Sequence, residues 1–190
     1  MKRDTLFSEV YALDKSTNRY MIEIAIDRYE DIFNEWDPAP FKRREIDADL
    51  ELYLEGSAEE IPSKYPIELF FMVPRGKRDE RMEEETRNAL RSFFGFKIYF
   101  LKRELRKINI RILNYLFFGF LLLWAGNTYP GHDSTRDWAI VLTEGIFIGG
   151  WVFLWEAVSL FFFTNREMYH RHRIYTRLLN APVLFQELPQ

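Results

Sequence analysis

Two stretches constrain this chain more than anything else in it. Ile112 to about Tyr129 has no charged residue in 18 positions, and Trp138 to Thr164 carries only two glutamates in 27. A helix rises about 1.5 Å per residue, so roughly 20 apolar residues cross the hydrocarbon core of a bilayer. The first run is just long enough, and the second is longer than needed, which implies tilt or an extension beyond the bilayer. A soluble protein of 190 residues rarely needs two adjacent helices that are apolar on every side. The mean hydropathy of −0.28 hides the pattern because it averages these runs with strongly charged flanks.

The charge is segregated in the same way. Residues 1–92 hold fifteen basic and twenty-two acidic residues, and residues 93–111 hold six basic and one acidic. Residues 112–163 hold only Asp133, Arg136, Asp137, Glu144 and Glu156, and residues 164–190 hold four basic and two acidic. The net charge of −3 argues against a strongly basic nucleic-acid binder, so no nucleic-acid partner is expected. With 47% hydrophobic and 29% charged residues the chain is too apolar for intrinsic disorder. The absence of cysteine excludes disulfides, Cys-ligated zinc and a thiol nucleophile. The opening MKRDTLFSEVYALDK lacks an apolar h-region, so no cleavable signal peptide is expected.

Residues 130–137 separate the two runs with Pro130, Gly131 and several polar residues, a breaker-rich turn that makes a hairpin. Lys97, Lys102, Arg103, Arg106, Lys107 and Arg111 precede the first run, and Arg166, Arg171, Arg173 and Arg177 follow the second. The turn has only Arg136, so the basic-residue bias puts both ends in the cytoplasm. The expected organisation is a cytoplasmic α/β domain (1–78), a basic amphipathic connecting helix (79–111) and a first transmembrane helix (112–129). An external turn (130–137), a second transmembrane helix (138–164) and a cytoplasmic helix with a strand (165–190) complete it. The expected fold class is a membrane α-helical hairpin carrying a small cytoplasmic α/β (α+β) domain.

In the first segment, Asn18 reads as a turn before a strand over Tyr20–Ile26, with isoleucines at alternating positions. Residues 29–36 read as a short helix or turn, stopped by Pro38 and Pro40. Asp47 or Asp49 caps a helix to about Glu60, with Leu50, Tyr53, Leu54, Ala58 and Ile61 on one stripe. Pro66 to Val73 is apolar on both faces, which reads as a central or sandwiched strand closed by Pro74-Arg75-Gly76. After Pro182, Val183-Leu184-Phe185 can supply a third strand.

From Asp79 to Arg111 there is no proline, and acids crowd the start, where the helix dipole favours them. Phe94, Ile98, Leu101, Leu105, Ile108, Ile112 and Tyr115 form an a/d seam that runs into the first membrane span. The seam supports three readings: a stalk against copies of itself, a helix along the inner leaflet, or packing on the chain's own small domain. In the second, Lys97, Lys102, Arg103, Arg106 and Lys107 meet anionic headgroups.

Glu144 and Glu156 stand out because an ionisable group inside a span is costly. Twelve residues apart, they are about 18 Å apart along a helix, too far to act as one acid/base pair. Arg111 and Asn114 are expected to pair with Glu156, and Asn127 and Thr128 to lie near Glu144; the functional alternative lines an ion or proton path with one carboxylate. Gly145, Gly149 and Gly150 form a small-xxx-small pattern suited to close helix packing. Trp124, Trp138 and Trp155 suit headgroup depth, and Trp151 suits packing. His132 stands alone, and His170 and His172 sit beside arginines, so no metal is expected. No nucleotide, hydrolase or metalloprotease fingerprint appears. No catalytic residue, enzyme activity or cofactor is expected.

Asp37-Pro38-Ala39-Pro40-Phe41, Glu144-Gly145 and Ile148-Gly149-Gly150-Trp151-Val152-Phe153-Leu154-Trp155 together resemble a group of small uncharacterised bacterial integral-membrane proteins with two transmembrane helices. The resemblance implies a cytoplasmic N-terminal part, a two-helix hairpin and a bacterial inner membrane, and carries no assigned activity. The leading expectation is a non-enzymatic, homo-oligomeric membrane-anchored scaffold or sensor. Its expected partners are membrane lipids, copies of itself, and a cytoplasmic protein or small-molecule signal. The runner-up is an oligomeric ion channel or membrane-permeabilising effector with Glu144 or Glu156 on its path.

Overall fold

The computed structural model describes residues 7–40, 44–128 and 137–188. A short helix α1 (Phe7–Val10) and strand β1 (Leu13–Asp14) precede β2 (Arg19–Ala25), a 3-10 turn (Tyr29–Ile32) and α2 (Ala48–Glu60). Then follow β3 (Ile67–Val73), α3 (Glu80–Thr128), α4 (Asp137–Ser159), a π-helical turn (Leu160–Thr164), α5 (Asn165–Asn180) and β4 (Val183–Glu187). The chain divides into a sheet unit, up to Tyr99 and again from His172, and a helical unit, Phe100–Arg171.

The sheet has the order β1-β2-β3-β4. β1 is antiparallel to β2, while β2–β3 and β3–β4 are parallel. Parallel neighbours need a crossover. α2 supplies the first, and the whole of α3, α4 and α5 lies within the second. The tail is therefore a strand of the sheet rather than a frayed end. β1 is an element that two residues of sequence do not announce. It exists because Asn18, at φ 56, makes a tight turn in which its N–H donates to the Asp14 carbonyl at 2.8 Å.

Register puts Ile22 and Ile24 beside Leu69 and Phe71, and Phe71 beside Phe185. All five are buried, and the two phenylalanine rings stack at 5.2 Å. Leu54 and Ala58 of α2, Leu90 and Phe94 of α3, and Tyr175 and Leu178 of α5 are buried in the same unit. Met21, Phe70 and Met72, on the opposite sheet face, are only half-buried.

Asp47 caps α2 by accepting from Asp49 N at 2.9 Å and Leu50 N at 3.3 Å. Tyr53 leaves the expected apolar stripe, and its hydroxyl donates to the Glu23 carbonyl at 3.0 Å. Glu83 is buried and clamped by Arg78 at 2.6 Å and Arg87 at 3.1 Å. Arg87 also donates to the Val183 carbonyl at 3.2 Å, which ties the start of α3 to β4.

The expected boundary at residue 111 is not a break, because α3 runs unbroken from Glu80 to Thr128. Both α3 and the helical stretch Asp137–Asn180 are long and apolar enough to cross a membrane, and 11% of each apolar window is buried. In the helical unit α3 and α4 are antiparallel: Gly119 faces Gly150 and Leu154, while Gly126 faces Ile146 and Phe147. The connecting turn lies outside the described residues apart from Asp137, which begins α4.

The seam is filled by the chain itself. Phe94 and Ile98 are buried in the sheet unit, and Leu101, Leu105 and Ile112 in the helical unit. A stalk needs those positions free for a second copy, so the stalk reading is corrected to self-packing. Ile108 and Tyr115 are half-buried.

Candidate functional site

The sheet unit holds a cleft of about 520 Å³ at the end of the sheet where β2 and β3 begin and β4 is approached. Arg19 and Ile67 reach it from the starts of β2 and β3, Ser63, Lys64 and Tyr65 from the loop before β3, and Arg173, Thr176, Arg177 and Asn180 from α5. Tyr65 packs edge-on to Tyr20 at 5.4 Å, and the Lys64 ammonium lies 4.8 Å from the Tyr65 ring centre. Among the described residues lining the cleft there are four cations and no acid. This wall is positive in a segment whose overall charge is negative.

The four cations do different work. Arg177 donates to the carbonyls of Ala58, Ile61 at 2.9 Å and Tyr65 at 3.0 Å, so it satisfies the C-terminal end of α2 and the loop after it. Burial pulls its pKa below the usual arginine range. Arg19 and Arg173 make no hydrogen bond or ion pair to another described side chain, and the charge of Arg19 acts on Glu68 by lowering its pKa. The arrangement can hold an anion against an aromatic wall.

Glu68 marks the other polar feature of this unit. It is 1% exposed on the central strand; Thr17 Oγ donates to its Oε2 at 3.2 Å, and its Oε1 has no partner among the described residues. Burial raises its pKa, partly opposed by the Thr17 bond.

In the helical unit the expected Arg111–Glu156 pair does not form. Buried or half-buried positions on α4 step through Ala139, Thr143, Ile146, Gly150, Phe153 and Ala157, and each glutamate lies one residue off that stripe. One residue is about 100° of helix rotation, so Glu144 and Glu156 both face outward. Neither carries a hydrogen bond or ion pair among the described residues. Glu144 shares a cleft of about 300 Å³ with Asn127, Gly126 and Thr143, as its expected depth requires. Arg111 and Asn114 instead line a separate cleft with Lys107, Tyr115, Phe118 and Phe153.

The glycines divide. A Cβ on Gly150 meets Leu123 Cγ at 2.8 Å and the Gly119 carbonyl at 3.1 Å, so this is a point of close helix approach. Gly149 has ordinary clearance, 3.7 Å to Leu122, and Gly145 has nothing within 4 Å. The partner of Gly150, Gly119, carries no close small-residue motif in the sequence, since the next glycine, Gly126, lies two turns on; Asn109, whose side chain accepts from Asn165 at 3.0 Å, carries none either.

Of the basic residues assigned to headgroups, Lys97 belongs to the sheet unit, with its ammonium 2.5 Å from Glu51 and 5.0 Å from the Phe93 ring. Lys97 is thus paired within the sheet unit, with its side chain 37% exposed. Lys102, Arg103, Arg106 and Lys107 are exposed. His170 and His172 lie on α5, and among the described residues no group of three metal-ligating side chains occurs. His132 and Arg136 lie outside the described residues.

Compared with protein-family models, curated proteins and solved structures, the chain gives no significant match.

Proposed function

We propose that this chain is a bacterial inner-membrane protein in which a two-helix hairpin anchors a cytoplasmic binding module for an anionic ligand or acidic partner segment. The observation that carries the module is the basic cleft of Arg19, Lys64 and Arg173 with its Tyr65 wall. Membrane anchoring is supported by the outer surface of the hairpin, where Phe117, Phe120, Trp124, Ile148, Trp151 and Trp155 are all exposed. Water would oppose such a surface at about 25 cal/mol per Å². Return to the starting side is supported by the parallel pairing of β4 with β3, because a chain that crosses and rejoins its own sheet must cross twice. The basic residues before α3's apolar run and after α4 support a cytoplasmic side.

Self-association is part of the same reading. Outward carboxylates of Glu144 and Glu156 in lipid cost a few kcal/mol each, and a second copy that supplies hydrogen-bond partners to them offsets that cost. The cleft is tested with hexaglutamate titrated against the purified full chain in detergent. Binding is expected to weaken at least tenfold in the double variant Arg19→Gln/Arg173→Gln; equal binding by both proteins removes the cleft from the proposal.

The exposure of Glu144 beside Asn127 also suits a second reading, an oligomeric channel. Ion flux through vesicles reconstituted with the chain, with selectivity altered by Glu144→Gln or Glu156→Gln, would favour it. Tight vesicles favour the anchored module.

A further inference from the structure

The cleft of about 550 Å³ on the helical unit divides into a basic end and an aromatic end. Lys107, Arg111 and Asn114 repeat at steps of four and three on α3, so they share one face with Phe118 a further turn on. Tyr115 and Phe153 form the aromatic end, with ring centres 5.7 Å apart. Neither Lys107 nor Arg111 has an ion-pair partner among the described residues, and Asn114 has no hydrogen bond there. The uncharged run begins at Ile112, so the cleft straddles the change from charged to apolar sequence.

We infer that this cleft is a site for one anionic phospholipid of the cytoplasmic leaflet, an inference that rests on the membrane reading above. Its phosphate lies between Lys107 and Arg111 with Asn114 as a neutral donor. The first part of one acyl chain lies along Tyr115, Phe118 and Phe153. The dimensions suit this: Arg111 to Phe118 is about 10 Å along the helix, the length of the upper part of an acyl chain. A free phosphate would use the basic end and leave the aromatic end unexplained. Charge complementarity and continuity with the apolar surface both select lipid.

The test uses the full chain in mild detergent, titrated with phosphatidylglycerol or phosphatidylcholine and read by native mass spectrometry. Phosphatidylglycerol is expected to bind selectively. A basic group near an anionic lipid surface is worth about fivefold, so Lys107→Gln/Arg111→Gln should weaken retention about thirtyfold. Arg75→Gln/Lys77→Gln removes the same charge from the exposed loop before α3 and should retain wild-type binding. Equal loss in the two double variants, or equal retention of both lipids, overturns the inference. Alkaline carbonate extraction of native membranes is read in parallel: release of the wild-type chain refutes membrane anchoring itself, whereas retention with indifferent lipid binding refutes only the lipid site.

Discussion

Glu68 is the residue whose chemistry is most at odds with its place. Burial raises its pKa above the ordinary 4.5 of a glutamate, so the folded chain binds its proton more tightly than the unfolded chain does. This contribution to stability is therefore most favourable below 4.5 and falls as pH rises through the raised value. Glu68→Gln should abolish that part of the pH dependence and raise the unfolding temperature at neutral pH; an unchanged pH profile in thermal melts would remove the argument. Asp37 behaves in the opposite sense. The N–H groups of Glu45 and Ala39 hold its carboxyl below the ordinary 3.8, so its contribution is present above that value and is lost on acidification. Arg177 acts through geometry: hydrogen bonds to charged groups are worth about 1.5–3 kcal/mol, and Arg177→Met should destabilise the sheet unit by about 2–4 kcal/mol in denaturation of the full chain. Arg177→Lys should recover only part of that, since a point charge cannot spread donors as a guanidinium does. In the sequence Arg177 is one cation among four after the second apolar run; only the path of α2 assigns it those carbonyls.

At the scale of elements, β2, β3, α2 and the long helices follow from local rules, and their faces do not. Of the glycines at 145, 149 and 150, Gly150 is the point of close approach, Gly149 meets Leu122 at ordinary distance and Gly145 has nothing within 4 Å. Which stripe faces inward depends on the partner helix, and the partner is Gly119. Gly150→Val should destabilise the hairpin by about 1–3 kcal/mol, because the added atoms meet backbone as well as Leu123. Gly145→Val should be near neutral in the same titration of folded fraction against a denaturing detergent; equal effects would mean the helices do not pack at Gly150. The π-helical turn Leu160–Thr164 has a comparable origin. A π turn adds a residue to one helical turn, and the inward position after Ala157 becomes Asn165 rather than Thr164. Asn165 is thereby placed against Asn109, a pairing that a heptad read along the sequence misplaces by one residue.

For the molecule as a whole, the decisive fact is that the helical hairpin is the connection between two neighbouring strands. Because the chain lacks cysteine, single-cysteine variants report its sidedness directly. Ser63→Cys and Gln186→Cys should react with an impermeant maleimide only after cells are permeabilised, and Ser134→Cys should react in intact cells. Any other division sinks the proposed topology. The sequence by itself determined the two apolar helices, their breaker-rich joint and the charge that flanks them, because a span's length and polarity are summed along the chain and need no partner. Tertiary structure alone decided that the seam is filled internally, that Lys97 answers Glu51, that Arg111 and Glu156 stay apart and that a basic cleft forms between a strand end, a loop and α5. Each of those depends on which residues distant in sequence share a few ångströms of space, and periodicity within one element does not contain that information.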